Sequence, residues 1–303
     1  MIPYRYGDLD KRIEYKEGKK KIRKHFRFHL GQLKLLMSEI MFLTKVSSPG
    51  DLVVYAGAAA GYHIMKLAMM FPELHFELWD PRRYDMPDDI KPDNIELNRG
   101  YFTVDTAESY ADKNVLFISD IRDIEGMQEV KRSKNETEQL ESDYIIISDD
   151  MKMQMEWVQV MRPKYAFLKF RLPYQSGKTQ YFGGKIYLQT YSPIATEARL
   201  MTNNYDDLID YTNEEYDERL AYFNSHIRFE PHDDRRWDDI MERNRLKKYW
   251  DNYIALYIVA YYLEKRNGAE PTDDEVYDLF VEIVDFHRQR YGNKYNYLWK
   301  KKR

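Results

Sequence analysis

The stretch that decides the fold is VVYAGAAAGYHIMKL, residues 53–67. An apolar, β-rich run enters a turn with two glycines, Gly57 and Gly61, and leaves it with apolar residues at helical spacing. Glycines in such a turn permit positive φ angles and let a ligand approach the backbone closely. The stretch therefore predicts a strand, a turn suited to holding a ligand, and a helix.

Outward from this unit, strand-like and helix-like segments alternate up to about residue 170. The patterns predict strands at 51–56, 75–79, 94–98, 115–119, 165–171 and 198–201, and a hairpin over 178–191. They predict helices at 30–46, 62–71, 138–161, 213–225, 236–266 and 273–290, and a loop over 121–137. This alternation predicts an α/β fold with a mostly parallel central sheet and helices on both faces. We interpret residues 1–303 as a single domain with a basic N-terminal segment (1–25), an α/β core (26–206) and a helical C-terminal extension (207–303).

The composition narrows the class of protein. With 43% hydrophobic and 32% charged residues, the chain is typical of a soluble globular protein. No apolar run approaches the roughly 18 residues of a membrane helix. The absence of cysteine excludes disulfides and thiolate-held zinc or iron–sulfur centres, and it fits a cytoplasmic setting. We predict no metal site and no membrane partner.

The charge is unevenly distributed along the chain. The net charge is −4, yet residues 11–27 carry nine Lys or Arg against two Glu. Such a cluster is typical either of a surface that follows RNA phosphates or of a solvated tail. The 27 tyrosines supply rings of the kind that stack on exposed bases, although most of them are expected in the core.

The glycine turn favours a cofactor that contains a nucleoside. The dinucleotide fingerprint needs three glycines, whereas this turn offers only Gly57 and Gly61. Asp80 ends the next predicted strand, where an acid accepts hydrogen bonds from ribose hydroxyls in doubly wound folds. A cofactor with a nucleoside and no pyrophosphate fits both features. S-adenosylmethionine is such a molecule, and NAD is the disfavoured alternative.

Two charged residues interrupt apolar strands: Asp120 after LFIS, and Lys169 within FLKF. A lysine is rarely buried in a strand unless it is paired or functional. With these residues the sequence resembles the poxvirus-type cap-specific mRNA 2′-O-methyltransferases, which also serve as processivity subunits of the viral poly(A) polymerase. The resemblance covers most of the chain and runs through GQLKLL (31–36), VVYAGAAAGYHI (53–64), LWDPR (78–82), LFISDIR (116–122), FLKFRLPY (167–174) and TEARL (196–200).

The resemblance implies a Rossmann-like methyltransferase fold and a catalytic tetrad of Lys34, Asp120, Lys169 and Glu197. Lys169 would be the general base that takes the proton of a ribose 2′-hydroxyl. This role requires a pKa below the usual ~10.4 of lysine, so that the amine is largely neutral near pH 7. Burial and Lys34 favour such a shift, whereas the two carboxylates oppose it. A buried salt-bridge cluster without catalysis is the alternative.

The resemblance also implies the binding residues, position by position. The cofactor would be held at its methionine end and turn by Gln32, Tyr55, Gly57, Gly61 and His63, at its ribose by Asp80 and Arg82, and at its adenine by Tyr101 and Phe102. For RNA, the implied residues are Arg122 at a phosphate, Tyr174 stacking on the cap and Asp217 at the guanine edge. The cap pocket departs from the family pattern at Ser176 and Ile194.

The implied activity is methyl transfer from S-adenosylmethionine to the first transcribed nucleotide of capped mRNA. The implied partners are capped mRNA and a poly(A) polymerase catalytic subunit. The implied setting is the cytoplasm of an infected cell and the virion of a large DNA virus. The alternative function is that of a non-catalytic subunit that holds RNA for the polymerase.

Overall fold

The computed structural model describes residues 5–14, 30–121, 136–174, 176–193, 195–230 and 236–300, with residues 136–142 described by their backbone alone. The strands are β1 (Leu52–Ala56), β2 (His75–Trp79), β3 (Ile95–Asn98), β4 (Leu116–Ser119), β5 (Tyr165–Phe170), β6 (Lys178–Phe182), β7 (Lys185–Tyr187), β8 (Ala198–Thr202) and β9 (Leu208–Thr212). The α-helices are α1 (Gly31–Val46), α2 (Tyr62–Met70), α3 (Val104–Glu108), α4 (Glu136–Met161), α5 (Asn213–Tyr222), α6 (Asp238–Arg243), α7 (Trp250–Asn267) and α8 (Asp273–Tyr291).

Seven strands form the central sheet, in the order β3-β2-β1-β4-β5-β8-β7. The pairs from β3 to β5 are parallel, and β8 is antiparallel to both of its neighbours. The chain moves from β1 to β2 in one direction across the sheet and from β4 to β5 in the other. Because such crossovers are right-handed, helices α2 and α4 lie on opposite faces. The predicted mostly parallel sheet covered on both faces is confirmed.

The core forms where the sequence is most apolar. In β1 and β4, every residue except Leu52 is buried, because helices cover both faces of the central strands. Phe42 of α1 stacks on Phe167 of β5, with ring centroids 4.7 Å apart. One cluster of buried apolar residues extends from Leu9 to Leu298, so the C-terminal helices share the core of the sheet.

The predicted hairpin over residues 178–191 is wrong. Strands β6 and β7 flank Gly183 and Gly184, but they do not pair with each other. Strand β6 pairs with β9 in a separate two-stranded sheet, and β7 pairs with β8 at the edge of the main sheet. Local turn signals cannot show that the two arms of the turn find different partners.

The helical prediction for the region after residue 207 needs two corrections. Residues 208–212 form β9 before α5 begins, because their backbone pairs with β6. The helix predicted over 236–266 is interrupted at 244–249, between α6 and α7. There the chain forms a bridge between Leu246 and Trp299, so a distant backbone segment takes the hydrogen bonds that a continuous helix would use. The predicted loop over 121–137 lies largely outside the described residues.

Candidate active site

The strand order creates a crevice between the carboxyl ends of β1 and β4, where the two crossovers diverge. Gly57, with φ of +80°, follows β1 at this point. A Cβ atom there would lie 2.8 Å from the backbone carbonyl carbon of Asp120. Glycine is therefore required by both the φ angle and the close approach of the two strand ends. Gly61, with φ of +79°, is the N-cap residue of α2, and a Cβ atom there would lie 2.5 Å from Met86 Cε.

The four residues of the predicted tetrad meet beside this crevice, although four different elements supply them. Lys34 comes from α1, Asp120 follows β4, Lys169 lies in β5 and Glu197 precedes β8. The Nζ atom of Lys169 lies 3.5 Å from Asp120 Oδ1 and 3.6 Å from Glu197 Oε2. Lys34 Nζ donates a hydrogen bond to Glu197 Oε1. The residues are brought together as the resemblance implied, and both lysines and Glu197 are buried.

Arg199 is a fifth member of this cluster, and the sequence analysis missed it. Its guanidinium donates to Asp120 Oδ1 at 2.6 Å and to the carbonyl oxygen of Ser119 at 2.7 Å. Arg199 is 1% exposed and pairs directly with Lys169 in the antiparallel ladder between β5 and β8. An available signal was its position two residues after Glu197, since residues i and i+2 of a strand share a face.

The charges of the cluster are unequally shared. Burial alone would raise the pKa of Asp120, but Lys169, Arg199 and Lys34 outweigh this effect and hold that pKa well below its usual range. Asp120 is therefore a fixed anion. With both lysines protonated the cluster holds three cations against the carboxylates of Asp120 and Glu197. Loss of one proton from a lysine would make the cluster neutral.

A second network lies beneath the glycine turn and contains most of the residues predicted for the methionine end of the cofactor. The His63 ring contacts Gln32 Oε1 through Nδ1 at 3.0 Å and Glu39 Oε2 through Nε2 at 3.2 Å. The Tyr55 hydroxyl donates to Glu39 Oε1 at 2.7 Å. Tyr55 is fully buried, so its hydroxyl is held within this network. Glu39 is a further residue that sequence reasoning missed.

Asp80, predicted at the ribose, ends β2 and is 3% exposed. Its Oδ1 accepts from the backbone N–H and the Nε of Arg82, at 2.8 and 2.9 Å. Its Oδ2 accepts from the Ala59 N–H at 3.0 Å and from Arg82 Nη2 at 2.8 Å. Arg82 Nη2 also donates to the Ala59 carbonyl oxygen at 2.8 Å, so Arg82 ties the acid to the glycine turn, while half of its side chain remains exposed.

The two residues predicted at the adenine differ in their surroundings. Tyr101 is 72% exposed at the end of the loop that follows β3. Phe102 is buried and packs against Trp79, Phe117 and Trp157, with ring centroids 5.0 to 6.1 Å apart. Tyr101 is thus available to a ligand, whereas Phe102 anchors the loop in the core.

The residues predicted for the cap lie around the end of β5. The Arg171 guanidinium lies 4.7 Å from the centre of the Tyr174 ring, in a cation–π contact. Asp217 of α5 is buried, and its Oδ1 has no hydrogen-bond partner among the described residues. Burial raises the pKa of this carboxyl to about 7. Ser176 donates a hydrogen bond to Glu214, whereas Arg122 and Ile194 lie outside the described residues.

Two features are absent from the described ranges. No group of three or more His, Asp or Glu side chains there is arranged to hold a metal ion. No helix within those same ranges is both long and apolar enough to cross a membrane.

Comparison with known proteins places this architecture. The seven-stranded sheet with its switch-point crevice is a Rossmann-like methyltransferase fold. The model of the family described as "Poly A polymerase regulatory subunit" matches residues 2–263, and the chain belongs to this family. Among curated proteins it is similar to the cap-specific mRNA (nucleoside-2′-O-)-methyltransferases of myxoma virus, strains Lausanne and Uriarra. In each case the identity is 27% over 254 residues, which cover 75% of this chain and 70% of the viral protein.

Proposed function

We propose that this protein transfers a methyl group from S-adenosylmethionine to the ribose 2′-oxygen of the first transcribed nucleotide of capped mRNA. The observation that carries the proposal is the position of Lys169 Nζ, between Asp120 and Glu197 at the edge of the crevice. Membership of the family and similarity to two viral proteins named for this activity support it.

The crevice has the groups that the cofactor would need. Asp80 provides a carboxylate at the end of β2, and Gly57 and Gly61 place no side chain at the two ends of the turn. The oxygens of Asp80 are already engaged by Arg82 and by the Ala59 N–H, so ribose hydroxyls would take over positions that the Arg82 side chain holds. That side chain is half exposed and can swing away. When bound, S-adenosylmethionine supplies the methyl group on a sulfonium.

The surroundings of Lys169 suit a proton acceptor. Each carboxylate near it has a closer cation, since Arg199 donates to Asp120 and Lys34 donates to Glu197. The contacts of Lys169 with the same carboxylates are longer, at 3.5 and 3.6 Å. Asp120 and Glu197 stabilise the ammonium form of Lys169, whereas burial and the charges of Lys34 and Arg199 favour the neutral amine.

With Lys169 neutral, two cations and two anions remain in the cluster. The amine then accepts the proton of the ribose 2′-hydroxyl, and the oxygen bonds to the methyl carbon as the carbon–sulfur bond breaks toward sulfur. Asp120 and Glu197 hold the resulting ammonium in place. Lys34 and Arg199 are already protonated in this scheme, so they cannot act as bases. They act by positioning the carboxylates.

Cap recognition would use the pocket at the end of β5. A 7-methylguanine is cationic, so the Tyr174 ring can stack on it once the Arg171 guanidinium moves aside. Asp217 has an oxygen without a partner among the described residues, and it would accept from the guanine N–H groups. Arg122 would contact RNA phosphate just after Asp120. The assignments of Tyr174 and Asp217 rest on the resemblance and the local geometry together, and that of Arg122 rests on the resemblance alone.

A second candidate function comes from the family description itself. A regulatory subunit of a poly(A) polymerase would bind the polymerase catalytic subunit. From the resemblance we propose that it would also bind RNA and would act in the cytoplasm and virion of a large DNA virus. This role needs no intact base. The buried cluster around Lys169 favours catalysis in addition to such a role, because a scaffold gains nothing from burying five charges.

The test is methyl transfer by the purified protein with S-adenosylmethionine labelled in the methyl group. The substrates are one RNA sequence with a 7-methylguanosine cap, with an unmethylated cap, or with a 5′-triphosphate. We expect label on the ribose of the first nucleotide of the capped RNAs, with the methylated cap preferred. Binding of both ligands without any transfer would leave only the subunit role.

A further inference from the structure

A cleft beside the edge strand β7 has no role in the proposed reaction. It lies between α1, α7 and β7 and has a volume of about 310 Å³. Four cationic side chains line this edge cleft: Arg5, Lys45, Lys185 and Arg236. Glu264 is the one carboxylate among its lining residues in the described part of the chain. Small-molecule sites usually measure about 300 Å³ or more, so the cleft has room for one nucleotide.

The cations of the edge cleft lie close enough to repel one another. The pKa of Lys45 is lowered, first by partial burial and then by Lys185, Arg5 and Lys265. Arg5 and Arg236 also contact acids outside the cleft, Asp8 at 3.7 Å and Glu270 at 3.0 Å. Lys45 and Lys185 are largely exposed, and neither forms a salt bridge with an acid in the described part of the chain. An anion in the cleft would relieve this repulsion.

Aromatic rings are interleaved with these cations. Tyr187, Tyr257 and Tyr261 line the same cleft. Tyr187 is largely buried, whereas Tyr257 and Tyr261 are partly exposed. A groove that combines cations with aromatic side chains is the arrangement that proteins use to hold single-stranded nucleic acid, through phosphates and stacked bases.

The edge cleft is separate from the catalytic cluster. Lys34 and Lys45 lie on the same helix, α1, eleven residues apart, which corresponds to about 16 Å along the helix axis. Lys34 contacts Glu197 of the cluster, and Lys45 lines the cleft at the other end of α1. A single nucleotide in the catalytic crevice therefore does not reach the cleft.

We propose that the edge cleft binds single-stranded RNA, with Lys45 and Lys185 contacting phosphate and Tyr257 or Tyr261 stacking on a base. The proposal rests on the proposed function, in which RNA is the substrate, and gives the RNA chain a second contact away from the site of methyl transfer. The interleaved tyrosines favour RNA over an acidic protein segment, which charge alone would also attract.

The first test measures binding of an uncapped, fluorescent 20-nucleotide oligouridylate across a salt series. Lys45→Gln and Lys185→Gln are compared with Lys113→Gln, an exposed lysine outside the cleft. Log K falls as log salt rises, and each lost phosphate contact should make this fall shallower by about 0.7. We expect this reduction for both cleft variants and not for the control. Equal slopes for all three variants would overturn the proposal and leave an acidic protein as the partner of the cleft.

The second test locates the RNA directly. An oligonucleotide with 4-thiouridine is photocrosslinked to the full chain, and the crosslinked peptide is identified by mass spectrometry. We expect crosslinks to the peptide that contains Tyr257 and Tyr261, and their loss on competition with unlabelled RNA. Crosslinks confined to other peptides would contradict the assignment.

The outcome separates the two proposals. Methyl transfer to a capped RNA of only three nucleotides should be the same in Lys45→Gln, Lys185→Gln and the wild type. If the wild type transfers no methyl group but the salt slopes differ as expected, the proposed reaction is wrong and the edge cleft stands. If methyl transfer occurs and the slopes do not differ, the cleft is not an RNA site.

Discussion

Asp120 and Asp217 are two mostly buried aspartates near the ends of β4 and β5, and their carboxyl groups behave in opposite ways. Burial by itself would raise the pKa of both carboxyl groups. At Asp120, three cations reverse the effect and keep the group ionised. At Asp217, burial raises the pKa to about 7, and a hydrogen bond with Thr196 and the charge of Arg171 only moderate the rise. The number and closeness of cations, and not burial, decide which acid is a fixed anion and which one titrates near neutral pH.

Removal of Lys169 should have the largest effect on the difference between Asp120 and Asp217, because among the cations Lys169 lowers the pKa of Asp120 most strongly. We expect Lys169→Ala to reduce methyl transfer by about 100-fold or more, since the proton acceptor is lost. Lys169→Arg should fail almost as badly, because a guanidinium stays protonated at any working pH. Cofactor and RNA affinities, measured by calorimetry, should stay close to those of a Lys113→Ala control. Near-normal activity of Lys169→Arg would make Lys169 a positioning charge only.

Removal of Arg199 should make Asp120 more like Asp217. With Arg199→Gln, Lys169 becomes the closest remaining cation to Asp120, and its ammonium form is stabilised. We expect roughly tenfold slower methyl transfer at pH 7 and a pH–rate profile that moves to higher pH. The variant should also be destabilised, by about 3–5 kcal/mol, because a buried ion pair is broken.

Arg199→Lys is the matched control, since it keeps the charge. It should retain much of the activity and the original profile. Thermal unfolding of both variants separates a catalytic effect from a loss of folded protein. An unshifted profile in a folded Arg199→Gln protein would show that Arg199 does not act on Lys169 through Asp120.

Asp80 sharpens the comparison, because it is a third buried acid and is paired with an arginine from its own turn. We expect Asp80→Asn to weaken S-adenosylmethionine binding about tenfold or more, since each hydrogen bond to a charged acceptor contributes roughly 1.5–3 kcal/mol. Calorimetry with the cofactor provides the measurement. Asp210→Asn, at an exposed acid of β9, is the control. Equal affinities in both variants would remove Asp80 from the cofactor site.

Asp217 should give the smallest effect, which depends on pH. Its carboxyl is neutral below about pH 7 and ionises above it, so acceptance from guanine N–H groups should strengthen as pH rises. We expect binding of a capped dinucleotide to improve several-fold between pH 5.5 and 7.5 in the wild type. Asp217→Asn should show no such rise.

The same pKa also predicts a change in stability. An acid with a raised pKa in the folded protein costs stability as pH rises from its unfolded pKa of about 4 to its folded value of about 7. The free energy of unfolding of the wild type should therefore fall relative to Asp217→Asn over this interval and level off above it. Parallel stability curves would show that Asp217 does not titrate in this range.

The sequence predicted best what is decided by local pattern. The strand and helix around Gly57 and Gly61 have the expected bounds within a residue, because apolar periodicity and glycine punctuate the chain there. The meeting of Lys34, Asp120, Lys169 and Glu197 followed from the resemblance. The carboxyl ends of parallel neighbouring strands lie at one edge of the sheet. Asp120 after β4 and Lys169 near the end of β5 could therefore be expected close together.

The parts that could not be predicted depend on tertiary pairing. Arg199 belongs to the cluster only because β8 runs antiparallel beside β5 and places it opposite Lys169. Glu39 belongs to the second network only because the fold places His63 and Tyr55 against it. Strand β9 forms because β6 offers a backbone partner more than twenty residues away. No short sequence window contains both partners of such a contact.

The central claim is that the amine at position 169 is the general base, and the lack of cysteine in the chain makes a direct test possible. Lys169→Cys introduces a single thiol, which 2-bromoethylamine converts into a lysine analogue with a less basic amine. Lys169 lines a pocket, which gives the reagent access. The account predicts an inactive Lys169→Cys protein whose methyl transfer returns after alkylation, with a pH–rate profile shifted to lower pH than in the wild type. Restored activity with an unshifted profile, or an active protein before alkylation, would contradict it.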